Sequence, residues 1–232
     1  MHDLPARLAG VRDRIASAAG RAGRSPSSVR LIAISKTFPE SAVREAAAAG
    51  QIDFGENKVQ EALGKIAGTA DLPLRWHLVG HLQSNKARKA AGAFHAVHSV
   101  DDVALLKKLD ESAAAERRAI DVLVQVDLAG EATKHGVPPE QVAPIFEAGA
   151  ACRAARVCGF MLLPPAVDNP DDARPYFRAV CKLRDQLVAG GVNPAMLREL
   201  SMGMSHDFEV AVEEGATLVR VGTAIFGGRT YV

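Results

Sequence analysis

The sequence predicts an α/β fold, a single (β/α)8 TIM-type barrel with an extra N-terminal helix. Three observations carry that expectation. Apolar runs of strand character recur eight times, near 29–35, 51–54, 74–79, 94–98, 120–126, 156–162, 197–201 and 217–221. Alanine-rich helical stretches separate them, near 40–49, 56–67, 84–92, 101–117, 138–151, 171–189 and 206–214. No long linker or low-complexity segment breaks the alternation. The whole chain, 1–232, therefore reads as one barrel domain, with 1–28 as a helix and linker packed on it. An open doubly wound sheet is the alternative.

The elements follow in order. Leu4, Leu8, Val11 and Ile15 recur at helical spacing, so 3–22 is expected to be an amphipathic helix. Arginines at 7, 12, 14, 21 and 24 resemble a transit peptide, but Asp3 and Asp13 interrupt them. In the first strand, Val29, Leu31, Ala33 and Ser35 face one way, and Arg30, Ile32, Ile34 and Lys36 the other. An apolar run that closes on Lys36 has two explanations. The side chain snorkels to water, or it stands in a pocket where a neutral amine attacks a carbonyl. Gly50 stops the helix that follows, and Gly190-Gly191 stops the long one at 171–189. A short segment after 222 closes the fold.

Composition removes several function classes. With 28 basic and 27 acidic side chains the net charge is +1, which offers no field to steer nucleic acid or an anionic membrane. Hydrophobic residues at 48% suit a soluble chain with a large core, and no run reaches the ~18 apolar residues of a membrane span. The odd set Cys152, Cys158 and Cys181 has no C-x-x-C pair, and no secretory leader precedes it; both fit a reducing cytoplasm.

A barrel places its chemistry where strands end. Lys36 ends strand one, "FGEN" (54–57) strand two, "HLVGHLQSNK" (77–86) strand three and "GFMLLPP" (159–165) strand six. "LSMGMSHDF" (200–208) and "VRVGTAIFG" (219–227) cover strands seven and eight, whose loops form the usual phosphate site. Ser201, Gly203, Ser205, Gly222 and Thr223 supply small residues and hydroxyls for an anion. A lysine beside a phosphate cradle implies a phosphorylated carbonyl ligand. Pyridoxal phosphate and an aldolase's phosphosugar satisfy that equally.

The stretches "LIAISKTFP" (31–39), "FGENKVQEALGK" (54–65), "WHLVGHLQSNKAR" (76–88), "VHSVD" (97–101), "GFMLLPP" (159–165) and "LSMGMSHDFEVAVEEGATLVRVGTAIFG" (200–227) span nearly the whole chain. In that order they resemble the pyridoxal-phosphate homeostasis family, relatives of the alanine racemase N-terminal barrel. The resemblance implies a fold-type III barrel with pyridoxal 5'-phosphate as cofactor and Lys36 as its Schiff-base lysine. It implies that Ser201, Gly222 and Thr223 hold the phosphate, that Arg220 faces the pyridine nitrogen, and that Asn57 borders the pocket. It further implies storage or delivery of the cofactor and control of vitamin B6 and amino-acid pools, with no established catalytic reaction. The expected partners are the cofactor and, transiently, apo-forms of the enzymes that use it; the chain is expected to be a monomer. Lys58 and His206 depart from the family's usual residues without touching the motif positions.

Arg220 has a chemical consequence. Guanidinium only donates, so the ring nitrogen it faces must be an unprotonated acceptor and the cofactor a weak electron sink. The alternative for Arg220 is a barrel-interior salt bridge. A racemase of this type needs a second base from a following β-domain. The sequence ends at Val232, with Tyr176 and Tyr231 its only tyrosines, so that domain is expected to be missing and the chain not an enzyme. A small fold-type III racemase or lyase, and a Schiff-base aldolase, are the competing readings. No metal site is expected: Gly80 separates His77 from His81, His95 and His98 lie beyond, and no carboxylate stands at ligand spacing. Glu56, Asn57, Gln60 and Glu61 read as helix caps, Met161, Met202 and Met204 as core or ring-packing residues, and Lys134 and His135 as loop residues.

Overall fold

Eight parallel strands close into a barrel in chain order, and the seam joins the first strand to the last. These are β1 (Arg30–Ile34), β2 (Asp53–Glu56), β3 (Arg75–Leu78), β4 (Ala96–Val100), β5 (Ile120–Val126), β6 (Ala155–Leu162), β7 (Glu199–Ser201) and β8 (Leu218–Val221). The helices are α1 (Leu4–Arg21), α2 (Glu40–Ala48), α3 (Val59–Gly68), α4 (Ala87–Ala93), α5 (Val103–Ala115), α6 (Ala143–Ala151), α7 (Arg174–Ala189), α8 (Phe208–Glu213) and α9 (Thr223–Phe226). This computed structural model describes residues 3–130 and 135–228, so Lys134 and Tyr231 lie outside the described residues. Pairing of Ile32 with Arg220 and Ala33 with Val221 closes the seam, which an open doubly wound sheet would leave unpaired.

Two boundaries shift for local reasons. β1 stops at Ile34, so Ser35 and Lys36 lie just past the strand, before Thr37 at φ 69°. α6 begins at Ala143, after a short turn at Pro139–Gln141, because prolines 138, 139 and 144 cannot donate to a helix ladder.

The period-two pattern sorts side chains into two layers. Leu31, Ala33, Val219 and Val221 point outward into the large core under the helices. Ile32, Ile34, Leu123, Cys158, Met161 and Leu218 form a small apolar cluster inside the barrel. The remaining interior includes buried polar side chains: Asp53, His77, His98, Ser201 and Arg220.

The arginines that resembled a targeting signal fasten α1 to the barrel. Asp3 caps the helix, and Leu4, Leu8, Val11 and Ile15 are buried beneath it. Arg24 donates to the Val212 and Ala216 carbonyls at 2.7 and 2.8 Å, and Arg12 to those of Ala49 and Gly50. Arg14 and Arg21 pair with Glu209 and Glu213 on the α8 side. The three cysteines are unpaired thiols, and among the described residues no helix is long and apolar enough to cross a membrane.

Candidate functional site

A cleft of about 520 Å³ opens at the end of the barrel where the strands terminate, a size suited to a small cofactor. Ile34 and Lys36 come from the end of β1, Asn57 from β2, Val79 from β3, and Leu163, Pro164 and Ala166 from β6. Met204, Ser205 and His206 come from the loop after β7, while Arg220, Gly222 and Thr223 come from β8 and its exit. A second cavity of about 490 Å³ lies at the opposite end, under α1, between Arg12, Arg30, Gln51 and Asp53. That end of this architecture carries stability and not chemistry.

Five of the six expected residues, Lys36, Asn57, Arg220, Gly222 and Thr223, therefore meet in one cleft. Ser201 is placed elsewhere. It is fully buried on β7, where its Oγ accepts from Arg220 Nη1 at 2.7 Å and lies 2.9 Å from His98 Nδ1. Ser205 faces the cleft instead. The backbone N–H groups of Gly222 and Ala224 converge on its Oγ at 3.2 and 3.4 Å. Two amides aimed at one oxygen form the kind of cradle that receives an anion.

Close packing shapes that cradle. A Cβ on Gly222 would stand 3.2 Å from the Ile34 carbonyl oxygen, so only glycine lets the β8 exit lie against β1 without a shift. Gly203 has φ +91°, and a Cβ there would come within 2.6 Å of Ala211 Cβ; its carbonyl accepts from Arg220 N–H.

The backbone on either side of Lys36 is braced from α3. Ser35 Oγ donates to Glu56 Oε1 at 2.7 Å. Lys65 Nζ donates to the Ser35 carbonyl and to Glu56 Oε1, both at 2.7 Å, and to Glu61 Oε1 at 3.0 Å. Glu61 Oε1 also accepts from Thr37 N–H at 2.6 Å, which holds a β-branched residue in the left-handed region. Glu56 is fully buried, and burial pushes its carboxyl above the ordinary value; its Oε2 has no hydrogen-bond partner among the described residues. Glu56 and Glu61 are thus struts and not the helix caps expected from sequence. The α3 N-cap is Lys58, which makes no side-chain cap bond.

Arg220 is anchored by neutral acceptors. Besides Ser201 it donates Nη2–H to the Leu162 carbonyl at 2.9 Å, and burial pushes its guanidinium down to about 10. It remains a cation at neutral pH with a hydroxyl and a carbonyl as its hydrogen-bond partners, in place of the interior salt bridge.

The histidines separate. His77 and His98 are buried and bonded to each other at 3.0 Å, whereas His95 accepts from Trp76 N–H at the other end of the barrel. At the rim the fold brings His81, Asp101 and His135 together, with ligand atoms within 4.8 Å of one another. A carboxylate thus does approach the histidine, from the β4 exit. The His81 and His135 rings stack at 3.7 Å, and His81 Nδ1 lies 3.9 Å from Asp101, wider than the ~3.3 Å edge of a tetrahedral zinc site. Met161 and Met202 are core residues, while Met204 lines the cleft. His206 also lines it and bonds the Asp168 carbonyl at 3.0 Å. Ser205 fits the anion-loop role that the sequence suggests, and Ser201 faces the interior.

The chain matches the family model of the alanine racemase N-terminal domain over residues 7–230. It is 45% identical to the pyridoxal phosphate homeostasis protein of Aquifex aeolicus, with 97% of this chain and 98% of that protein covered. Its identity to the protein of the same name from Pseudomonas aeruginosa is also 45%, with 100% and 98% covered. Among solved structures, PipY of Synechococcus elongatus with pyridoxal phosphate bound superposes with a TM-score of 0.86 at 40% identity, covering 97% of this chain and all of that one. Barrel, cleft and near full-length identity agree: the chain belongs to the pyridoxal phosphate homeostasis proteins, within the alanine racemase N-terminal domain family.

Proposed function

We propose that this chain binds pyridoxal phosphate in the rim cleft and holds and delivers it in the cytoplasm, without turning over a substrate. The observation that carries this reading is the convergence of Lys36, Arg220 and the Gly222–Thr223 cradle in one cleft of suitable size. PipY, the 40%-identical relative solved with pyridoxal phosphate, supports it. When bound, the group supplies an aldehyde that condenses with a neutral primary amine, releasing water, to a Schiff base. Lys36 offers that amine from a braced turn. The Gly222 and Ala224 amides with the Ser205 and Thr223 hydroxyls hold the phosphate. Ile34, Val79, Leu163 and Met204 exclude water from the ring, Asn57 borders it, and Arg220 donates toward its nitrogen. In this arrangement Ser201 acts on Arg220 and leaves the anion to Ser205.

The test is a visible spectrum of the protein loaded with pyridoxal phosphate, before and after borohydride, followed by mass mapping. The expected increment falls on Lys36. Lys36→Ala should lose the imine band and keep weaker, phosphate-anchored binding. An increment on another lysine overturns the assignment. Sustained turnover of one amino acid, abolished by Lys36→Ala, would replace the holding role with a racemase or lyase.

A further inference from the structure

Five buried side chains on five strands join end to end through the barrel interior. Asp53 Oδ1 on β2 lies 2.9 Å from His77 Nε2 on β3. His77 Nδ1 lies 3.0 Å from His98 Nε2 on β4, and His98 Nδ1 lies 2.9 Å from Ser201 Oγ on β7. Ser201 Oγ accepts from Arg220 Nη1 on β8 at 2.7 Å. The chain starts beside the cavity under α1, which Asp53 lines, and ends at the cleft wall.

The two ends fix the direction of every hydrogen in between. A guanidinium can only donate and a carboxylate can only accept. With Ser201 accepting from Arg220, its own O–H serves His98 Nδ1. His98 then carries its proton on Nε2 and gives it to His77 Nδ1, and His77 gives its Nε2–H to Asp53. Both rings are neutral, both are Nε2–H tautomers, and each of these atoms has its complement. The reverse direction would need either a bare His77 Nε2 toward the Asp53 carboxylate or a cationic His77. In both cases Ser201 Oγ would accept from His98 and Arg220 together while its own O–H had no acceptor among the described residues. A cationic His98 would add its Nδ1–H to the Arg220 Nη1–H already aimed at Ser201 Oγ, and would set a second buried positive charge beside the guanidinium.

The electrostatics agree. Burial, the largest cause, holds His98 well below the ordinary imidazole value, and the Arg220 and Arg30 charges act in the same direction. Burial works to raise Asp53, but its bonds to His77 and Arg75 overcome that and keep the carboxyl below the ordinary range. Asp207 acts on Arg220 through space while its own Oδ1 accepts from Met204 N–H.

We infer that Asp53, His77 and His98 are positioning residues for Arg220. Through Ser201 they form a one-way hydrogen-bond relay that carries the polarity of a distant carboxylate to the guanidinium and fixes its orientation. A direct carboxylate partner would occupy two of its donors at once; here one Nη1–H goes to the relay and one Nη2–H to the Leu162 carbonyl, and no carboxylate among the described residues takes either. Because guanidinium does not deprotonate, the relay orients and polarises and does not conduct protons. What Arg220 faces rests on the cofactor reading above; the hydrogen order of the relay is a property of the chain itself.

The test separates the two. In the full chain without added cofactor, isotope-labelled histidine side chains should show two neutral Nε2–H tautomers at neutral pH, assigned by loss in His77→Gln and His98→Gln. A cationic or Nδ1–H state at either position overturns the relay. With isotope-labelled ring nitrogen in pyridoxal phosphate, Asp53→Asn and Ser201→Ala should both shift the ring-nitrogen resonance while borohydride still labels Lys36. Release of the cofactor from Ser201→Ala should be about tenfold faster, as for one lost buried hydrogen bond. A ring-nitrogen signal unchanged in a cooperatively folded variant refutes the positioning role. If wild-type Lys36 takes no label, the cofactor reading fails, and the histidine tautomers alone decide the relay.

Discussion

The two walls of the cleft position a basic side chain in opposite ways. On the Lys36 side, the flanking residues are tied by charge: Lys65 bridges Glu56, Glu61 and the Ser35 carbonyl within 3.0 Å. On the Arg220 side, the only carboxylate in the hydrogen-bonded chain is Asp53, several bonds away through neutral groups. The first arrangement clamps a backbone turn, and loss of Lys65 leaves the buried Glu56 without a cation. The second aims a side chain, and its loss misdirects donors. Positioning a loop calls for strong, multidentate pairing; positioning a guanidinium whose donors must stay available calls for polarity without a competing anion.

The contrast is most strongly tested by breaking the charged side. Lys65→Met leaves the fully buried Glu56 without its cation and should cost about 3–5 kcal/mol in urea unfolding, with Glu56→Gln in the same chain restoring part of it. A cost under about 1 kcal/mol would mean that the pair behaves like a surface bridge. On the opposite wall, Gly203→Ala combines a left-handed backbone with a 2.6 Å approach to Ala211 Cβ, and should cost about 2–4 kcal/mol. Because Gly203 accepts from Arg220 N–H, cofactor affinity should fall with it.

The two buried carboxylates should also differ in the sign of their pH dependence. Glu56 is raised above its ordinary 4.5 by burial, so its contribution is full below that value and declines as pH rises through the raised one. Asp53 is held below its ordinary 3.8, because His77 and Arg75 outweigh burial; its contribution is full above that value and is lost as pH falls through the lowered one. Stability of the wild type relative to Glu56→Gln should therefore shrink as pH rises above 4.5 through the raised value, and relative to Asp53→Asn should grow as pH rises from the lowered value up to 3.8. Slopes of one sign would erase the distinction. The smallest effect is expected at Thr37, where Thr37→Gly relieves φ 69° and should gain at most about 1 kcal/mol after the entropy of glycine is set against it. The gain is read from the urea midpoint.

Much of this molecule is legible in its sequence because strands and helices alternate with different periods. The opposite facings of Leu31 and Ile32 follow from period two alone, as does Arg220 pointing inward between two outward valines. Lys36, Asn57, Gly222 and Thr223 fall at strand ends, where a barrel gathers its cleft. The relay is illegible because its members lie 19 to 103 residues apart along successive hydrogen bonds, and only register aligns them. Ser201 and Ser205 illustrate the same limit. They are four positions apart, but one is still on a strand and faces the interior, while the other has left it and faces the rim. Glu56 resembles a cap because it precedes a helix; that it belongs to β2 and reaches Lys65 is a tertiary fact.

The seam has one more consequence. Lys36 leaves the first strand and Gly222 leaves the eighth, and these two strands are partners only because the cylinder has closed on itself. A ligand gripped between them selects chains whose first and last strands have already met, and adds its binding energy only to that population. Occupancy is therefore a report that synthesis and closure are finished.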